Sequence, residues 1–404
     1  MRTYRQLFAV PEFRALFVAQ CLSMAAASVG NLALGTITYA GTGSALLTSL
    51  ALFGGPLIRL VASWFLASLS DLLRPRTALL TVALVTTAAN GLQAIPFLPW
   101  WARVILLALP WITMSATGGS MLALVSDILP AGSFVFGRAT LNIAVGVMQI
   151  AGYGLGGILL LALSTSGLFV VAAVASAVGA VVVVFRVGDH PPRATSSNLF
   201  LRSHRINARL MSSPLLRPVL FALWIPNGLV VGCESLFIPY AGASAGLLYA
   251  VTAAGMLLGD VSIGRFIPDS LRVRLVEPLR ILLAAPYLLF LLHPPLAAAL
   301  AIGFTASIGY AASLPLQERL ITHTDEDIRG QVLGLNSTGL LGMQGIGAAL
   351  AGTLAQALGL RGDAVGTAIG IMAIASLAVT FVLIPGLRRS RPGLPIPSGV
   401  EQPT

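Results

Sequence analysis

The chain predicts an all-α integral membrane protein, with twelve transmembrane helices in two pseudo-symmetric six-helix bundles. Three observations carry that expectation. Of 404 residues, 56% are hydrophobic and only 9% charged, and the mean hydropathy is +0.90; so little charge cannot coat a soluble domain of this size. Apolar runs of about 20 residues, the length that crosses about 30 Å of hydrocarbon as helix, recur from end to end. The two halves also echo each other. Tyr39-Ala40-Gly41 returns as Tyr240-Ala241-Gly242, and the same offset matches Leu46-Leu47 to Leu247-Leu248 and Gly54 to Gly255. Met148-Gln149-Ile150-Ala151-Gly152 is answered by Met343-Gln344-Gly345-Ile346-Gly347. Asp127 precedes Arg138 by the interval at which Glu318 precedes Arg329, each pair bracketing a short polar loop. Duplicated halves are a common architecture of secondary transporters.

The spans lie near 14–40, 44–69, 77–98, 102–127, 139–164, 167–187, 216–241, 244–267, 276–293, 295–317, 331–358 and 363–385. The first follows Arg2, Arg5, Glu12 and Arg14 and is too long for a signal-peptide core, so it is expected to stay as a helix. The second carries Arg59 and runs out at Asp71, Arg74 and Arg76. Trp100 and Trp101 sit in an outer loop before the fourth, where amphipathic rings favour the interface. The seventh has an expected weak point at Pro226-Asn227-Gly228, the eighth carries Asp260, and the ninth is the shortest and is interrupted by Pro286. Residues 1–187 then form the first bundle, 188–215 a cytoplasmic connector with room for an amphipathic helix, 216–387 the second bundle, and 388–404 a Pro- and Gly-rich disordered tail.

Charge sets orientation. Every basic residue is arginine, and of the 24 all but Arg59, Arg103 and Arg361 fall on one side when loops alternate. By the positive-inside rule both termini are cytoplasmic, in a multi-pass protein of the cytoplasmic membrane. The net charge of +10 belongs to loops beside apolar spans. It points to topology and anionic lipid, not to nucleic acid. Paired cysteines, HExxH and a P-loop are all missing from the sequence, so no metal, cofactor or enzymatic activity is expected. The depths of Cys21 and Cys233 argue against a disulfide. Asp325-Glu326-Asp327 reads as a solvated loop before the eleventh span.

Two local patterns carry a resemblance. Ala67-Ser68-Leu69-Ser70-Asp71-Leu72-Leu73-Arg74-Pro75-Arg76 shares the aspartate and the last basic position of the Gly-x-x-x-Asp-Arg-x-Gly-Arg-Arg/Lys signature between helices 2 and 3 of the major facilitator superfamily. It lacks both glycines and the arginine after the aspartate. Gly152-Tyr153-Gly154-Leu155-Gly156-Gly157 is similar to the Gly-Pro-x-x-Gly-Gly of its drug-proton antiporters, with tyrosine for proline. The opening Phe13-Arg14-Ala15-Leu16-Phe17-Val18-Ala19-Gln20 with Ser23 also resembles bacterial exporter-like members. The resemblance implies two rocking bundles, a proton-coupled small-molecule substrate, and a cytoplasmic latch in which Asp71 meets Arg329. Arg76, Asp127, Arg138 and Glu318 complete the expected cytoplasmic gate. Gly152, Gly156, Gly157, Gly347 and Gly352 are expected to let helix backbones approach closely.

Charges inside the spans are the mechanistic candidates, because each costs about 2.5–3.5 kcal/mol at a helix centre and must face a cavity or a partner. Glu234 and Asp260 are the proton or cation carriers, since a carboxyl withdrawn from water favours its neutral form. Asp260 alternatively pairs with Arg59 or Arg265, and Glu234 alternatively bonds helix ends. Arg59 is a substrate or coupling residue, able to grip an anion. Asn31, Gln149, Asn227 and Gln344, with Gln20 and Asn336, either line a passage or bond helix to helix. Trp64, Trp111, Trp224 and Tyr153 either stack on a flat ligand or pack. Export of a small amphipathic compound is the expected activity, by a monomer. Import of an anionic metabolite, a non-transporting sensor or scaffold and, last, a membrane enzyme are the alternatives.

Overall fold

The computed structural model describes residues 4–66, 74–130, 134–190, 198–325, 328–359 and 362–391. All regular structure among them is helical. Large apolar side chains such as Val61, Val174, Leu257 and Val382 are more than half exposed on the outer faces, a surface that suits lipid and not water.

Helix α1 (Pro11–Thr42) opens on proline, whose missing N–H would go unbonded in a first turn anyway. It stops at Gly43, whose φ of 62° glycine adopts freely. Helix α2 is two pieces, Ala45–Phe53 and Gly55–Leu66, bent by 63°. Pro56 accounts for the bend, because it offers no N–H to the Leu52 carbonyl one turn back. That carbonyl accepts instead from the Tyr153 hydroxyl, at 2.8 Å. Gly55 completes the corner: a Cβ there would lie 2.0 Å from the Trp111 indole.

The first bundle continues with α3 (Pro75–Gln93), α4 (Trp100–Ile128), α5 (Phe134–Leu159) and α6 (Thr165–Arg186). The second holds α7 (Leu216–Ser235), extended after a break by Phe237–Ala241, and α8 (Ala245–Val261), which ends in a π turn at Ser262–Phe266. Then come α9 (Asp269–Ala284), tightening into a 3-10 turn at Ala285–Leu292, and α10 (Leu296–Ile308), which runs on to Thr322. Helices α11 (Arg329–Leu358) and α12 (Gly362–Arg389) close the chain. Neighbours repeat between bundles: α1 packs on α5 and α6 as α7 packs on α11 and α12, and α3 on α4 and α6 as α9 on α10 and α12. The bundles meet through α2 against α11 and α5 against α8, again equivalent pairs.

The structure moves several expected features. Helix α7 runs unbroken through Pro226, where Gly228 lets α11 pack so closely that a Cβ would sit 2.3 Å from the Met343 carbonyl. The break comes at Leu236, where Pro239 leaves the Ser235 carbonyl without its helical donor and the Ser49 hydroxyl reaches it at 3.5 Å. Helix α9 starts at Asp269, not near 276, and Pro286 begins a 3-10 turn instead of interrupting a short span. The connector carries a helix, Asn198–Ser212, which is tied to α11 by Gln331 donating to Asn207 at 2.8 Å. Helix α12 continues to Arg389, past the start of the expected tail, whose residues 392–404 lie outside the described residues. Both cysteines are free.

Candidate functional site

A cavity of about 360 Å³ opens between the bundles. Its walls come from the first halves of α1, α3, α5 and α11 and the second halves of α2, α4 and α6, so it opens at the end where the N-terminus lies. We call that end, the one the arginine distribution is expected to place on the cytoplasmic side, the inner end, and the opposite one the outer end. Leu16, Met24, Leu79, Met114 and Leu341 make the walls mostly apolar, with Gln20, Ser23 and Ser115 among them. Arg59 is the only charged residue among the described residues of the lining.

Above the cavity lies a narrow neck bordered by Asn31, Phe53, Trp111, Gln149, Tyr153 and Gln344. Gln149 donates to Gln344 at 3.2 Å, and Gln344 donates to Asn227 at 3.4 Å. Asn31 borders the neck beside Tyr153. The structure thus gathers Gln149, Gln344 and Asn227, from both bundles, into one line of hydrogen-bonded amides, with Asn31 beside it. Each amide both donates and accepts, so the line can bond to itself when the neck is empty and serve a ligand when it opens.

Beyond the neck the bundles are shut. Ser235 donates to Ser49 at 3.0 Å, and Ser44 to Gln356 at 3.2 Å. Gly157 on α5 meets Gly246 on α8, where a Cβ on Gly157 would lie 2.2 Å from the Gly246 carbonyl, and Gly352 on α11 meets Leu46 on α2. Gly152 and Gly156 instead press α5 on α1, and Gly347 presses α11 on α7, each within one bundle. The molecule is open at the inner end and closed at the outer.

Glu234 does not line the cavity. It sits at the end of α7, 6% exposed, with its carboxylate accepting from Tyr310 at 3.2 Å and Tyr287 at 3.4 Å. Tyr249 donates to the Glu234 backbone carbonyl at 3.0 Å, and its ring stacks on Tyr153 with centroids 5.8 Å apart. Aromatic contacts therefore run from the Glu234 backbone carbonyl to the neck. Asp260 is half-buried on α8, and neither it nor Arg59 is in an ion pair among the described residues. The expected pairing of Asp260 with Arg59 or Arg265 does not form. Equivalent positions in two repeats are related by symmetry, and α2 and α8 pack on different partners.

The inner-end residues bond within their own surroundings. Arg76 donates to the Val184 carbonyl at 2.5 Å, Arg74 pairs with Asp189, and Arg329 donates to the Thr324 carbonyl at 3.2 Å. Glu318 is exposed and accepts from Arg272 at 3.4 Å, and Asp127 is exposed at the end of α4. Arg138 lies in α5; its side chain, that of Trp64 and all of Asp71 fall outside the described residues. Trp224 is packing: it donates to Asn336 at 3.1 Å, and a Cβ on Gly339 would lie 2.2 Å from its ring.

Sequence reasoning missed Tyr287, Tyr310 and Arg280. Arg280 is fully buried in the second bundle, donating to Ser313 at 3.5 Å, while its Nε and Nη1 have no hydrogen-bond partner. The charge count puts Arg280 with the inner-side arginines although it falls inside the ninth span expected from sequence, 276–293. Arg319 is also fully buried, but donates to the Leu387 and Val273 carbonyls at 3.0 and 2.9 Å.

No protein-family model and no curated protein matches the sequence. The likeness lies in structure. The chain superposes on a bacterial homologue of the human lysosomal transporter Spinster, in an inward-facing and occupied conformation, with TM-score 0.68 and 12% identity, covering 97% of this chain and 99% of that one. A POT family transporter in complex with a thioalcohol-conjugated peptide matches with TM-score 0.70 and 13% identity over 94% and 96% of the two chains. The human organic anion transporter MFSD10 matches with TM-score 0.62 and 16% identity over 92% and 99%. The fold is the one these transporters share, that of the major facilitator type: all-helical, with several membrane-spanning helices.

Proposed function

We propose that this protein is a secondary transporter of the cytoplasmic membrane that exports a small amphipathic organic compound, driven by the proton gradient. One observation carries the reading: a cavity of ligand size is open at one end, ends at amides from both bundles, and is shut at the other by contacts between the bundles. Such a molecule needs only a second arrangement, closed inside and open outside, to alternate access. Arg59, Asn31, Gln149, Asn227 and Gln344 are the substrate-facing set. Asp71, Arg76, Asp127, Arg138, Glu318 and Arg329 are the groups available to latch the inner end in that second state. Glu234 carries the proton and Asp260 is the second candidate. A non-transporting sensor has no use for a cavity that reaches the neck.

A second reading, import or facilitated passage of a small anion, draws support from Arg59 being the lone charge among the described residues of the lining while Glu234 stands outside it. Purified protein in proteoliposomes decides. A pH gradient should drive accumulation of a compound found by screening a deletion strain against a toxic panel with and without a protonophore. Glu234→Gln should keep substrate exchange at equal pH and lose gradient-driven accumulation. Accumulation by Glu234→Gln at the wild-type level removes the carrier assignment. If no compound moves under either condition, the transport reading fails.

A further inference from the structure

We infer that the compound this cavity takes is an aromatic monoanion, with Arg59 reading its charge and Trp111 its flat ring. The inference rests on the transport reading for movement, and on the cavity alone for the charge preference. Arg59 stands on the segment of α2 below the bend, half-buried, beside Pro56 and Leu60. No carboxylate is present among the described lining residues, and Arg59 makes no hydrogen bond or ion pair among the described residues. A guanidinium stays charged at every working pH and offers five donors. Inside apolar walls its field is screened far less than in bulk water. A cation entering this space is repelled, and a neutral ligand strips water from the guanidinium without replacing it. A carboxylate or sulfonate supplies both the charge and two acceptors in the matching geometry. One cation balances one negative charge, and a dianion would bring a second, uncompensated one.

Trp111 supplies the shape term. Its indole is 7% exposed, borders both the cavity and the neck, and is pinned against Gly55 at the bend. A ring held this way is a preformed wall that needs no ordering when a flat ligand arrives. Trp111 and Arg59 line the same cavity, from α4 and from the lower part of α2. An aromatic body with one anionic group can touch both at once. The volume of about 360 Å³ falls in the range of small-molecule sites and admits two or three fused rings.

The test uses three radiolabelled naphthalenes of nearly equal shape: 1-naphthoate, the neutral 1-naphthamide, and the cationic 1-naphthylmethylammonium. Binding is measured to the full-length protein in nanodiscs, beside empty nanodiscs. Wild type should hold naphthoate at least tenfold tighter than naphthamide, about 1.4 kcal/mol, and should not bind the cation above the empty-disc level. Arg59→Gln should erase the naphthoate advantage, Arg59→Lys should keep part of it, and Trp111→Leu should weaken naphthoate and naphthamide alike. The wild-type ratio needs no variant, so it stands even if Arg59→Gln fails to fold. Equal binding of naphthoate and naphthamide, preference for the cation, an unchanged preference in folded Arg59→Gln, or no binding of any of the three overturns the inference. Proteoliposome flux separates it from the transport reading. Naphthoate bound through Arg59 but never translocated leaves the charge assignment standing and sinks transport. A neutral or cationic compound moved independently of Arg59 does the reverse.

Discussion

Gly157→Ala is the sharpest probe of the closed outer end. A Cβ on Gly157 would lie 2.2 Å from the carbonyl oxygen of Gly246 and 3.0 Å from its carbon. An ordinary contact needs about 3.4 Å, so α5 and α8 must part by about 1 Å, and overpacking of this kind costs about 1–3 kcal/mol. The cost falls only on states in which the outer ends touch, because an outward-open arrangement separates these two helices. Such a differential penalty changes the ratio of inward-open to outward-open molecules by about 5- to 150-fold. Spin labels at Phe97 and Leu292, exposed outer-end positions on the two bundles, report it as a longer component in the pulsed-EPR distance distribution. Gly152→Ala is the internal comparison. Its Cβ would meet Ser28 of α1 at 2.6 Å inside one bundle, so it should lower the melting temperature and leave the distances alone. If Gly157→Ala behaves as Gly152→Ala does, the glycine contact is plain packing and the closed outer end is not a gate.

Gln149→Ala and Gln344→Ala remove the two ends of one hydrogen bond across the bundles. Their effects on transport should be non-additive by more than about 0.5 kcal/mol, the usual threshold for touching residues; additive effects would take the line of amides out of the neck. Arg59→Ala and Asp260→Ala, which share no contact, should by contrast add within about 0.5 kcal/mol. Arg280→Met replaces a fully buried guanidinium with two unpartnered nitrogens by an apolar chain of similar reach. Replacing buried charge by apolar side chains can raise stability by about 1–4 kcal/mol, so the melting temperature should climb, and a fall of several degrees would show that these two nitrogens have partners in the folded protein.

How much of this was legible in the sequence divides along one physical line. The all-helical membrane fold was legible, because lipid demands long apolar helices with every backbone group bonded within the segment. Gln149 and Gln344 were matched by offset alone, and the structure joins them. What was lost depended on rotation about helix axes. Glu234 sits on an apolar helix in the same way whether it turns to the cavity or away, and only packing of Tyr287 and Tyr310 from two other helices fixes which. Helix breaks were misplaced for a related reason. Pro226 looks like a breaker in sequence, but close packing of Gly228 on α11 holds α7 straight there, while Pro239, with Ser49 taking up the freed carbonyl, opens the turn.

The placement of charge constrains any coupled mechanism. Were Glu234 in the cavity, a proton and a substrate could compete for one carboxylate; it is not, and Arg59 belongs to the other bundle. A proton on Glu234 and an anion beside Arg59 can then affect each other only through a packed connection that has two arrangements. The contacts available run from the Glu234 carbonyl to Tyr249, by ring stacking to Tyr153, and by its hydroxyl to the Leu52 carbonyl that Pro56 leaves free. That carbonyl lies at the corner of α2, four residues before Pro56, in the bend that leads into the segment bearing Arg59. Tyr249 on α8 and Tyr153 on α5 also face each other across the pair of helices that must separate when the outer end opens. The same two rings therefore touch both the end of α7 that carries Glu234 and the gap between the bundles, the contact through which the proposed proton coupling would have to act.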